Sequence, residues 1–299
     1  MKAMRIDTYG GPEVLHEAEV DTPEPGPGQL RIRVRTVGVN PFDAKVRSGG
    51  MAAMVNTPLP ATLGLEVAGT VDAVGSGVSG FAVGDDVFGW ADSGAYAEYA
   101  LMTRVALKPA GLDWQTAVAL PVAGETSERV LDLLNVTAGE TLLIHGAAGA
   151  VGTVAVQLAV ARGAKVIGTA SAANHEYIAK LGAIPTGYGA GLVERVRALA
   201  PDGVDAVFDV AGKGALPDSI ELRGGTDRIV TIADPAARGL GVTFTSGGDK
   251  VDLPGLADRA VKGELVVAIS GVYPLADVAT AHRVIEAGHA RGKLVLTVA

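Results

Sequence analysis

The sequence predicts an α/β protein in which a β-rich module is joined to a doubly wound parallel sheet. Up to about residue 110, strand-like runs are separated by turns rich in glycine, proline and serine. From about residue 120, short apolar runs alternate with segments whose apolar residues recur at helical spacing. Alternation of this kind is typical of a parallel sheet covered by helices.

The first module contains four runs with the composition of strands. They are VLHEAEV, LRIRVRTV, EVAGTVDAVG and AEYALMTRVAL, and the segments GSGVSGFAVGDD and ADSGA between them have the composition of loops. In the second run, Arg31, Arg33 and Arg35 alternate with apolar residues, as the solvent face of a half-buried strand does. We therefore interpret these arginines as a strand face and not as a nucleic-acid patch.

The second part of the chain begins with the strand TLLIH and a helix over residues 150–162. The next segments are the strand AKVIGTA, the helices NHEYIAKLGA and VERVRALA, and the strands VDAVFDVAG, DRIVTIA and GVTFTS. After about residue 262 come GELVVAIS, a helix over 275–288 and the strand KLVLTVA. Because the parallel sheet is complete by about residue 246, we expect this last part to return to the first module. The predicted domains are residues 1–118 with 262–299, and residues 119–261.

The composition excludes several classes of protein. Apolar residues make up 48% of the 299 residues, which excludes a disordered chain, and a formal net charge of −8 without a basic tract argues against nucleic-acid binding. The absence of cysteine excludes disulfides, thiolate metal sites and a cysteine nucleophile. No metal site is predicted, and His282 and His289 are interpreted as a surface pair. No apolar run is long enough to span a membrane and the N-terminus has no apolar signal core, so we expect a cytoplasmic protein.

A glycine turn joins the strand TLLIH to the following helix. A helix N-terminus offers free N–H groups and a positive dipole, and glycine lets a pyrophosphate approach the backbone. The match is to G-x-x-G-x-x-G, and its position inside a strand–turn–helix unit favours dinucleotide binding over a plain turn. The residues expected to bind the cofactor here are Gly146, Ala148, Gly149, Ala150, Val151 and Gly152.

The end of the next strand indicates which nucleotide is bound. An NAD site usually has a carboxylate there for the ribose hydroxyls, but this chain has Ala170, followed by Ser171. Ser171 can donate a hydrogen bond to a 2′-phosphate, although it can equally cap the next helix. Asn174, His175 and Tyr188 are further polar candidates, whereas residues 170–179 contain no arginine or lysine. The pattern favours NADP(H).

Several motifs in order give the chain a family resemblance. VGVNPFDAKVRSG, LGLEVAGTVDAVGSGVSGFAVGDDVFG, LPVAGETS, GETLLIHGAAGAVG and PLADVATAHRVIEAGHARGKLVL resemble the medium-chain dehydrogenase/reductase superfamily, and more closely its zinc-independent quinone oxidoreductase branch. The resemblance implies a GroES-like β-rich domain that binds substrate, a Rossmann domain that binds cofactor, and an active cleft between them. It also implies a homodimer formed through the Rossmann edge strand, here residues 241–246.

The resemblance further implies that catalytic and structural zinc are missing. Asn40 stands where zinc-dependent relatives have a cysteine ligand, Leu65 where they have a histidine, and VAGE (122–125) replaces the last cysteine region. Without a Lewis acid a simple ketone is hard to reduce, whereas quinones and conjugated carbonyls spread the incoming charge to an oxygen.

The resemblance assigns three catalytic candidates. Asn40 could donate a hydrogen bond to a developing oxyanion, with a loop-capping role as the alternative. Lys45 could assist an oxyanion or a phosphate, with a solvated lysine as the alternative. Thr126 resembles a threonine that contacts the nicotinamide, although the Ser127-Glu128-Arg129 that follows departs from the family pattern.

Further residues are assigned to the cofactor or to structure. Thr126 is expected near the nicotinamide, and Tyr188 near the 2′-phosphate. The nicotinamide pocket is expected to be shaped by Val210, Ala211 and Ala233. Asp43 and Glu66 are expected to be structural.

The expected function is hydride transfer from NADPH to a small quinone or conjugated carbonyl, with the proton taken from water. Two alternatives stay open at this point. One is an alkenal/enone double-bond reductase of secondary metabolism, and the other is a non-catalytic NADPH-binding redox sensor.

Overall fold

The computed structural model describes residues 1–248, 250–288 and 290–299. Its strands are β1 (Lys2–Ile6), β2 (His16–Glu19), β3 (Leu30–Val39), β4 (Ala61–Thr62), β5 (Glu66–Val74), β6 (Asp86–Trp90), β7 (Tyr99–Met102), β8 (Val105–Leu107), β9 (Thr141–His145), β10 (Lys165–Thr169), β11 (Ile184–Thr186), β12 (Ala206–Asp209), β13 (Ile229–Thr231), β14 (Thr243–Phe244), β15 (Ile269–Pro274) and β16 (Lys293–Thr297).

Helices cover much of the remaining chain. They are α1 (Pro41–Arg47), α2 (Trp114–Leu133), α3 (Ala150–Ala161), α4 (His175–Lys180), α5 (Leu192–Leu199), α6 (Leu216–Arg223), α7 (Ala237–Leu240), α8 (Leu253–Val261) and α9 (Val278–Ala287). Across the described ranges, no helix is both long and apolar enough to cross a membrane.

The chain divides into two compact units. The first contains residues 1–121, 253–264 and 269–299, and the second contains 122–252 and 265–268. These boundaries differ from the predicted domains chiefly at α8, which the sequence assigned to the parallel-sheet domain. In the structure α8 contacts β8 and therefore belongs to the first unit.

The first unit is built around a mostly antiparallel sheet with the order β15-β16-β3-β5-β6-β8, and β7 also pairs with β3. As the alternation predicts, Leu30, Ile32 and Val34 are buried in its core while Arg33 and Arg35 are exposed. Strand β16, near the end of the chain, pairs antiparallel with β3 so that Leu294 lies opposite Val39. This pairing brings residue 293 beside the end of β3, where Asn40 follows.

The second unit contains a parallel sheet with the order β11-β10-β9-β12-β13-β14. Its central strands are buried along their length, as strands covered on both faces are. Counted from β9 the order is 3-2-1-4-5-6, the order of dinucleotide-binding Rossmann domains. The order reverses between β9 and β12, and ligands of such sheets bind at the carboxyl ends of the strands at this point.

Most predicted elements are present, with differences where short-range signals conflict. AEYALMTRVAL forms two strands, β7 and β8, and NHEYIAKLGA is helical only from His175. The sequence does not predict β6 or α2. Helix α2 contains Pro121, which normally interrupts a helix, but Val118, Leu120 and Ala123 around it are fully buried, so tertiary packing outweighs the local preference.

Candidate active site

In the first unit, Asn40 marks the change from strand to helix. It follows β3 with an extended backbone, and Pro41, whose ring presets a helical φ, begins α1. The carboxylate of Asp43 reaches back to accept the Asn40 backbone N–H at 2.8 Å. Asp43 is the third residue of α1, and through this bond its side chain caps the start of the helix, which is a structural role.

The Asn40 amide is held between two charged side chains. Asn40 Nδ2 donates to Glu66 Oε1 at 3.0 Å, and Lys293 Nζ donates to Asn40 Oδ1 at 2.7 Å. Lys293 also forms an ion pair with Glu66. All three side chains are buried. This arrangement fixes which way the amide faces, and it leaves Nδ2 with a second hydrogen for another acceptor.

A buried chain of hydrogen bonds continues from Asp43. The Tyr96 hydroxyl donates to Asp43 Oδ2 at 3.2 Å and lies 2.9 Å from His282 Nε2. Since the single hydroxyl hydrogen goes to Asp43, His282 Nε2 is assigned as the donor to Tyr96. Burial raises the pKa of Asp43 to about 7, and burial followed by the charge of Arg47 lowers the pKa of His282 to about 4. Burial likewise raises the pKa of Tyr96.

Arg47 connects this series of buried hydrogen bonds to the protein surface. Its Nη2 binds Glu286 Oε1 at 2.5 Å, and its Nη1 lies 3.5 Å from His282 Nδ1. His282 is fully buried, so its interpretation as a surface residue was wrong; the seven-residue spacing reports a helical face but not which face packs inward. His289 lies outside the described residues.

Lys45 lies on α1 but takes no part in this cluster. Its side chain is exposed, and in the described part of the chain no hydrogen bond or ion pair is found for its ammonium. The lysine that contacts Asn40 is Lys293, from the other end of the sequence.

In the second unit, the glycine turn lies at the carboxyl end of β9. Gly146 has φ of +76°, which a residue with a side chain rarely adopts. A Cβ on Gly152 would collide with the Gly146 carbonyl oxygen, so glycine is needed there for α3 to pack on the turn. A Cβ on Gly149 would come no closer than 3.5 Å to another part of the protein. Packing therefore does not require a glycine at 149, and the space above it is open to a ligand.

Buried polar side chains hold this turn in place. Thr169 Oγ1 accepts the Gly146 N–H at 3.2 Å and lies 3.4 Å from His145 Nδ1. His145 Nε2 lies 2.9 Å from Ser219 Oγ, whose own hydrogen goes to the Ala215 carbonyl. Burial lowers the pKa of His145, which agrees with a neutral ring that donates through Nε2.

The residues predicted to select the nucleotide follow β10 and its neighbour β11. Asn174 Nδ2 donates to Ser171 Oγ at 3.2 Å. Tyr188 is 62% exposed in the loop after β11, and the Arg195 guanidinium donates to the carbonyl oxygens of residues 187–190 at 2.8–3.4 Å. One arginine of α5 thus holds the loop that carries Tyr188.

Two buried side chains shape the loops after β12 and β13. Asp209 Oδ1 accepts the Ala211 N–H at 3.0 Å, and its Oδ2 accepts the Thr231 hydroxyl at 2.8 Å. Thr231 Oγ1 in turn accepts the Ala233 N–H at 3.1 Å. Val210, Ala211 and Ala233 are therefore fixed at the carboxyl edge of the sheet, at the same edge as the glycine turn.

Thr126 lies on α2 and is buried. Its hydroxyl donates to Glu125 Oε2 at 3.2 Å, and Glu125 also pairs with Arg129 at 2.6 Å. Arg129 Nη1 donates to Thr245 Oγ1 at 2.6 Å, beside β14. The unusual segment after Thr126 is thus tied to its own unit by hydrogen bonds.

The second unit fits a dinucleotide. The first turn of α3 leaves backbone N–H groups of Ala150 and Val151 without intrahelical partners, and the open position of Gly149 lies beside them. Backbone donors at a helix N-terminus bind pyrophosphate. No charged side chain lies within α3 to compete for these donors.

Sequence reasoning missed Lys293, Arg195 and Asp209. Lys293 lies inside a motif that carried the family resemblance, but nothing in its neighbourhood shows that it faces Asn40. Arg195 follows a glycine-rich loop at helical spacing, which is an ordinary place for a solvated arginine. Of these three residues, Asp209 is the one that the sequence could have indicated. It is a carboxylate inside an apolar strand run, and a buried carboxylate needs hydrogen-bond partners.

Two known protein families match parts of the chain. Residues 26–110 match the family described as Alcohol dehydrogenase GroES-like domain, and residues 184–296 match the family described as Zinc-binding dehydrogenase.

Individual relatives span nearly the whole chain. The quinone oxidoreductase of Rattus norvegicus is 32% identical over 323 residues, covering 99% of this chain and 97% of the relative. The chloroplastic NADPH-dependent alkenal/one oxidoreductase of Arabidopsis thaliana is 34% identical over 312 residues, covering 99% of this chain and 79% of the relative. The structure of the quinone oxidoreductase from Coxiella burnetii superposes with a TM-score of 0.90 at 32% identity, covering 100% of this chain and 99% of that one.

Proposed function

Because the chain belongs to the quinone oxidoreductase-like branch of the medium-chain dehydrogenase/reductase superfamily, we propose that it transfers a hydride from NADPH to a quinone or a conjugated carbonyl compound. The observation that carries the proposal is the glycine turn, which lies at the switch point of a Rossmann sheet with room for a ligand at Gly149. NADPH is favoured because no carboxylate stands at Ala170 to repel a 2′-phosphate. We also propose a cytoplasmic location.

The cofactor, when bound, supplies the hydride, and the chain binds and orients it. The N–H groups of Ala150 and Val151 bind the pyrophosphate, together with the backbone of Gly146, Ala148, Gly149 and Gly152. Ser171 and Tyr188 would bind the 2′-phosphate of the adenosine ribose. Thr126, Val210, Ala211 and Ala233 would line the site of the nicotinamide.

Asn40 stabilises the charge that develops on the acceptor oxygen. Lys293 binds the amide oxygen and Glu66 takes one amide hydrogen, so the second hydrogen is the donor left for substrate. A cation on the oxygen of an amide polarises its N–H groups and strengthens the bond they make. Lys293 is thus a positioning residue, and Lys45, being exposed, is a weaker candidate for contact with the acceptor.

We propose that zinc takes no part in this reaction. The chain has no cysteine, and the Asn40 side chain is already bound to Glu66 and Lys293. Within the ranges that the structure describes, no group of three or more histidine, aspartate or glutamate side chains could hold a metal ion. These features support electrostatic stabilisation by an amide in place of a Lewis acid.

We also propose a homodimer that forms through the edge of the Rossmann sheet. Strand β14 is the last strand in the sheet order, and Thr243 and Phe244 are both exposed. An exposed edge strand with an aromatic side chain is a template for pairing with another strand. The observed strand is shorter than the predicted 241–246.

The test is NADPH oxidation by the purified protein with a quinone series and an enone series, using NADH as the control. Turnover with quinones supports the leading proposal. Preference for enones supports the double-bond reductase, which the Arabidopsis relative favours. Saturable binding of NADPH without turnover of either series would support the redox sensor.

The role of Asn40 has its own test. Asn40→Ala should lower kcat at least tenfold, since removal of one oxyanion donor costs on the order of 100-fold in other enzymes. The Kd for NADPH, measured by fluorescence titration, should stay within about twofold because the amide binds the acceptor and not the cofactor. Asn56→Ala, at an exposed position with no described hydrogen bond, is the control. An unchanged kcat in Asn40→Ala would contradict this role.

A further inference from the structure

The second unit has a cavity at the carboxyl edge of its parallel sheet. The cavity measures about 820 Å³ and lies between the loop after β12 and the segment after β13 that contains α7. A volume of this size suits a small organic molecule. A Rossmann sheet binds one nucleoside of the cofactor on each half, and the glycine turn belongs to the half formed by β9, β10 and β11. The cavity therefore lies on the half of the sheet that takes the nicotinamide.

Glycine residues keep this space open. Gly212 has φ of +60°, and a Cβ on it would lie 2.6 Å from the carbonyl carbon of Ala233, so the two loops approach closely only because residue 212 has no side chain. Gly214 and Gly239 line the cavity, and a Cβ on either would meet no other part of the protein within 4 Å. Gly239 lies in α7 without a left-handed backbone, so a larger residue can be introduced there without backbone strain.

One buried carboxylate lines the cavity. Asp234 is 5% exposed, and its backbone N–H donates to Thr231 Oγ1 at 3.0 Å. Its Oδ1 accepts the Ala236 N–H at 2.9 Å. Among the residues that the structure describes, none donates a hydrogen bond to the second oxygen, Oδ2. Buried carboxylate oxygens need donors, and the glycine, proline, alanine and leucine residues that make up the rest of the lining have no side-chain donor. A bound ligand can supply the missing donor.

The cavity begins where the proposed nicotinamide site ends. Ala211 and Ala233, which we assign to the nicotinamide, do not line it, whereas the next residues along the chain, Gly212 and Asp234, do. A molecule that reacts with the nicotinamide can therefore extend a side group into this space. Nicotinamide itself is the alternative occupant, and the test below separates the two.

Charges around the cavity restrict the polarity of such a side group. Lys213 and Arg238 are exposed and adjoin lining residues in the sequence, and across the described ranges no ion pair joins either of them to Asp234. These two cations disfavour a positively charged ligand, and the Asp234 carboxylate disfavours a negatively charged one. Pro217 and Leu240 provide apolar contact. A neutral hydroxyl on an apolar body satisfies all of these features.

We propose that this cavity binds a side group of the hydride acceptor, and that Asp234 Oδ2 accepts a hydrogen bond from a hydroxyl on that group. The preferred acceptors are then quinones or conjugated carbonyl compounds that carry a hydroxylated substituent. The inference rests on the proposed function, because it names the class of acceptor for the same reaction.

The test compares two acceptors that differ in one donor. Hydroxymethyl naphthoquinone can donate a hydrogen bond from its side group, whereas methoxymethyl naphthoquinone cannot. We expect kcat/KM for NADPH oxidation to be about tenfold higher with the first quinone, chiefly through a lower KM, because the buried carboxylate is left unpaired with the second.

Asp234→Asn tests the carboxylate. The asparagine keeps an oxygen for the Ala236 N–H but places an N–H₂ group, which cannot accept, where Oδ2 was. The ratio of kcat/KM between the two quinones should fall to within about twofold of unity. Asp202→Asn, at an exposed aspartate of the same unit, is the matched control and should keep the tenfold ratio.

Gly239→Leu tests the cavity independently of the carboxylate. The added side chain should raise the KM of both quinones at least about fivefold, whereas the Kd of NADPH, measured by fluorescence titration, should stay within about twofold. Ala198→Leu adds a similar side chain at an exposed position of α5 and should change neither constant.

The outcomes separate this inference from the proposed function. Equal kcat/KM for the two quinones in the parent, or an unchanged ratio in Asp234→Asn, overturns the role of Asp234 while NADPH oxidation itself stands. An increase in the Kd of NADPH in Gly239→Leu shows that the cavity takes the nicotinamide and overturns the inference. Failure of the parent to bind NADPH, or to oxidise it with any quinone or enone, overturns the proposed function and this inference with it.

Discussion

At the scale of single residues, the first unit buries two titratable groups whose pKa values move in opposite directions. Asp43 keeps its proton up to about pH 7, whereas His282 stays neutral down to about pH 4. Tyr96 joins them by hydrogen bonds, and both groups are neutral between about pH 4 and 7. Asp43 and His282 themselves therefore add little charge to the core at mildly acidic pH.

These shifts predict how stability depends on pH. The raised pKa of Asp43 contributes stability that is lost as the pH rises from about 4 to 7, and the lowered pKa of His282 contributes stability that is gained from about 4 to 6.5. The two contributions nearly cancel in the parent protein. Asp43→Asn removes the first, so its free energy of unfolding should rise between pH 4.5 and 6.5 by up to about 3 kcal/mol relative to the parent.

Urea unfolding at pH 4.5, 5.5 and 6.5 measures this difference. Asp21→Asn, at an exposed aspartate without a described partner, should follow the parent curve. Parallel curves for the parent and Asp43→Asn would show that Asp43 does not hold its proton in the folded state.

The residue scale also shows what a sequence can predict about a site. Asn40 and Gly149 could be found because each stands in a local motif whose chemistry is visible within a few residues. Lys293 could not, because its contact with Asn40 depends on the register between β16 and β3, which are far apart in sequence. His282 was misplaced for the same reason, since only the packed structure shows which face of α9 is buried.

At the scale of elements, the loop after β11 owes its conformation to an arginine one helix away. Arg195 binds the carbonyl oxygens of residues 187–190, which have no strand partner to satisfy them. Tyr188 is exposed, so little packing of its own side chain holds this loop. The arginine therefore orders the loop before any ligand arrives.

Loss of this arginine should weaken NADPH binding through the cost of ordering the loop. Arg195→Ala should raise the NADPH Kd about fivefold, which corresponds to about 1 kcal/mol of ordering, and should change the NADH Kd much less. Arg197→Ala, on the same helix with an exposed ion pair to Glu221, is the matched control and should leave both constants unchanged. Equal losses of affinity for NADPH and NADH would show that the substitution disturbs the whole second unit and not this loop alone.

Elements were predicted where their local pattern was consistent and missed where it was not. Strand β9 and helix α3 agree with the sequence to within one residue, because apolar period, turn and cap all indicate the same structure. Helix α2 combines Pro121 with Gly124, both unfavourable in a helix, and is formed by burial that no local signal shows.

At the scale of the whole molecule, the proposed dimer predicts that a substitution at its interface halves the molecular mass measured in solution. Phe244→Lys places a charge on the edge of β14, where it opposes strand pairing. We expect light scattering to give about 60 kDa for the parent, twice the 30.2 kDa of one chain, and about 30 kDa for this variant. Val272→Lys, at an exposed residue on the edge strand of the other sheet, should remain dimeric. A parent protein of 30 kDa would contradict the dimer.

The position of Lys293 ties the proposed reaction to the order in which the chain is synthesised. The second unit is almost contiguous, so all of its residues are synthesised before residue 269. The first unit must wait, since β3 leaves one edge unpaired until β16 emerges more than 250 residues later. During that interval the nascent chain has a nucleotide-binding unit but an Asn40 whose amide is not yet oriented. A translation product that stops before residue 293 would still bind nucleotide, but would carry an open sheet edge that invites aggregation.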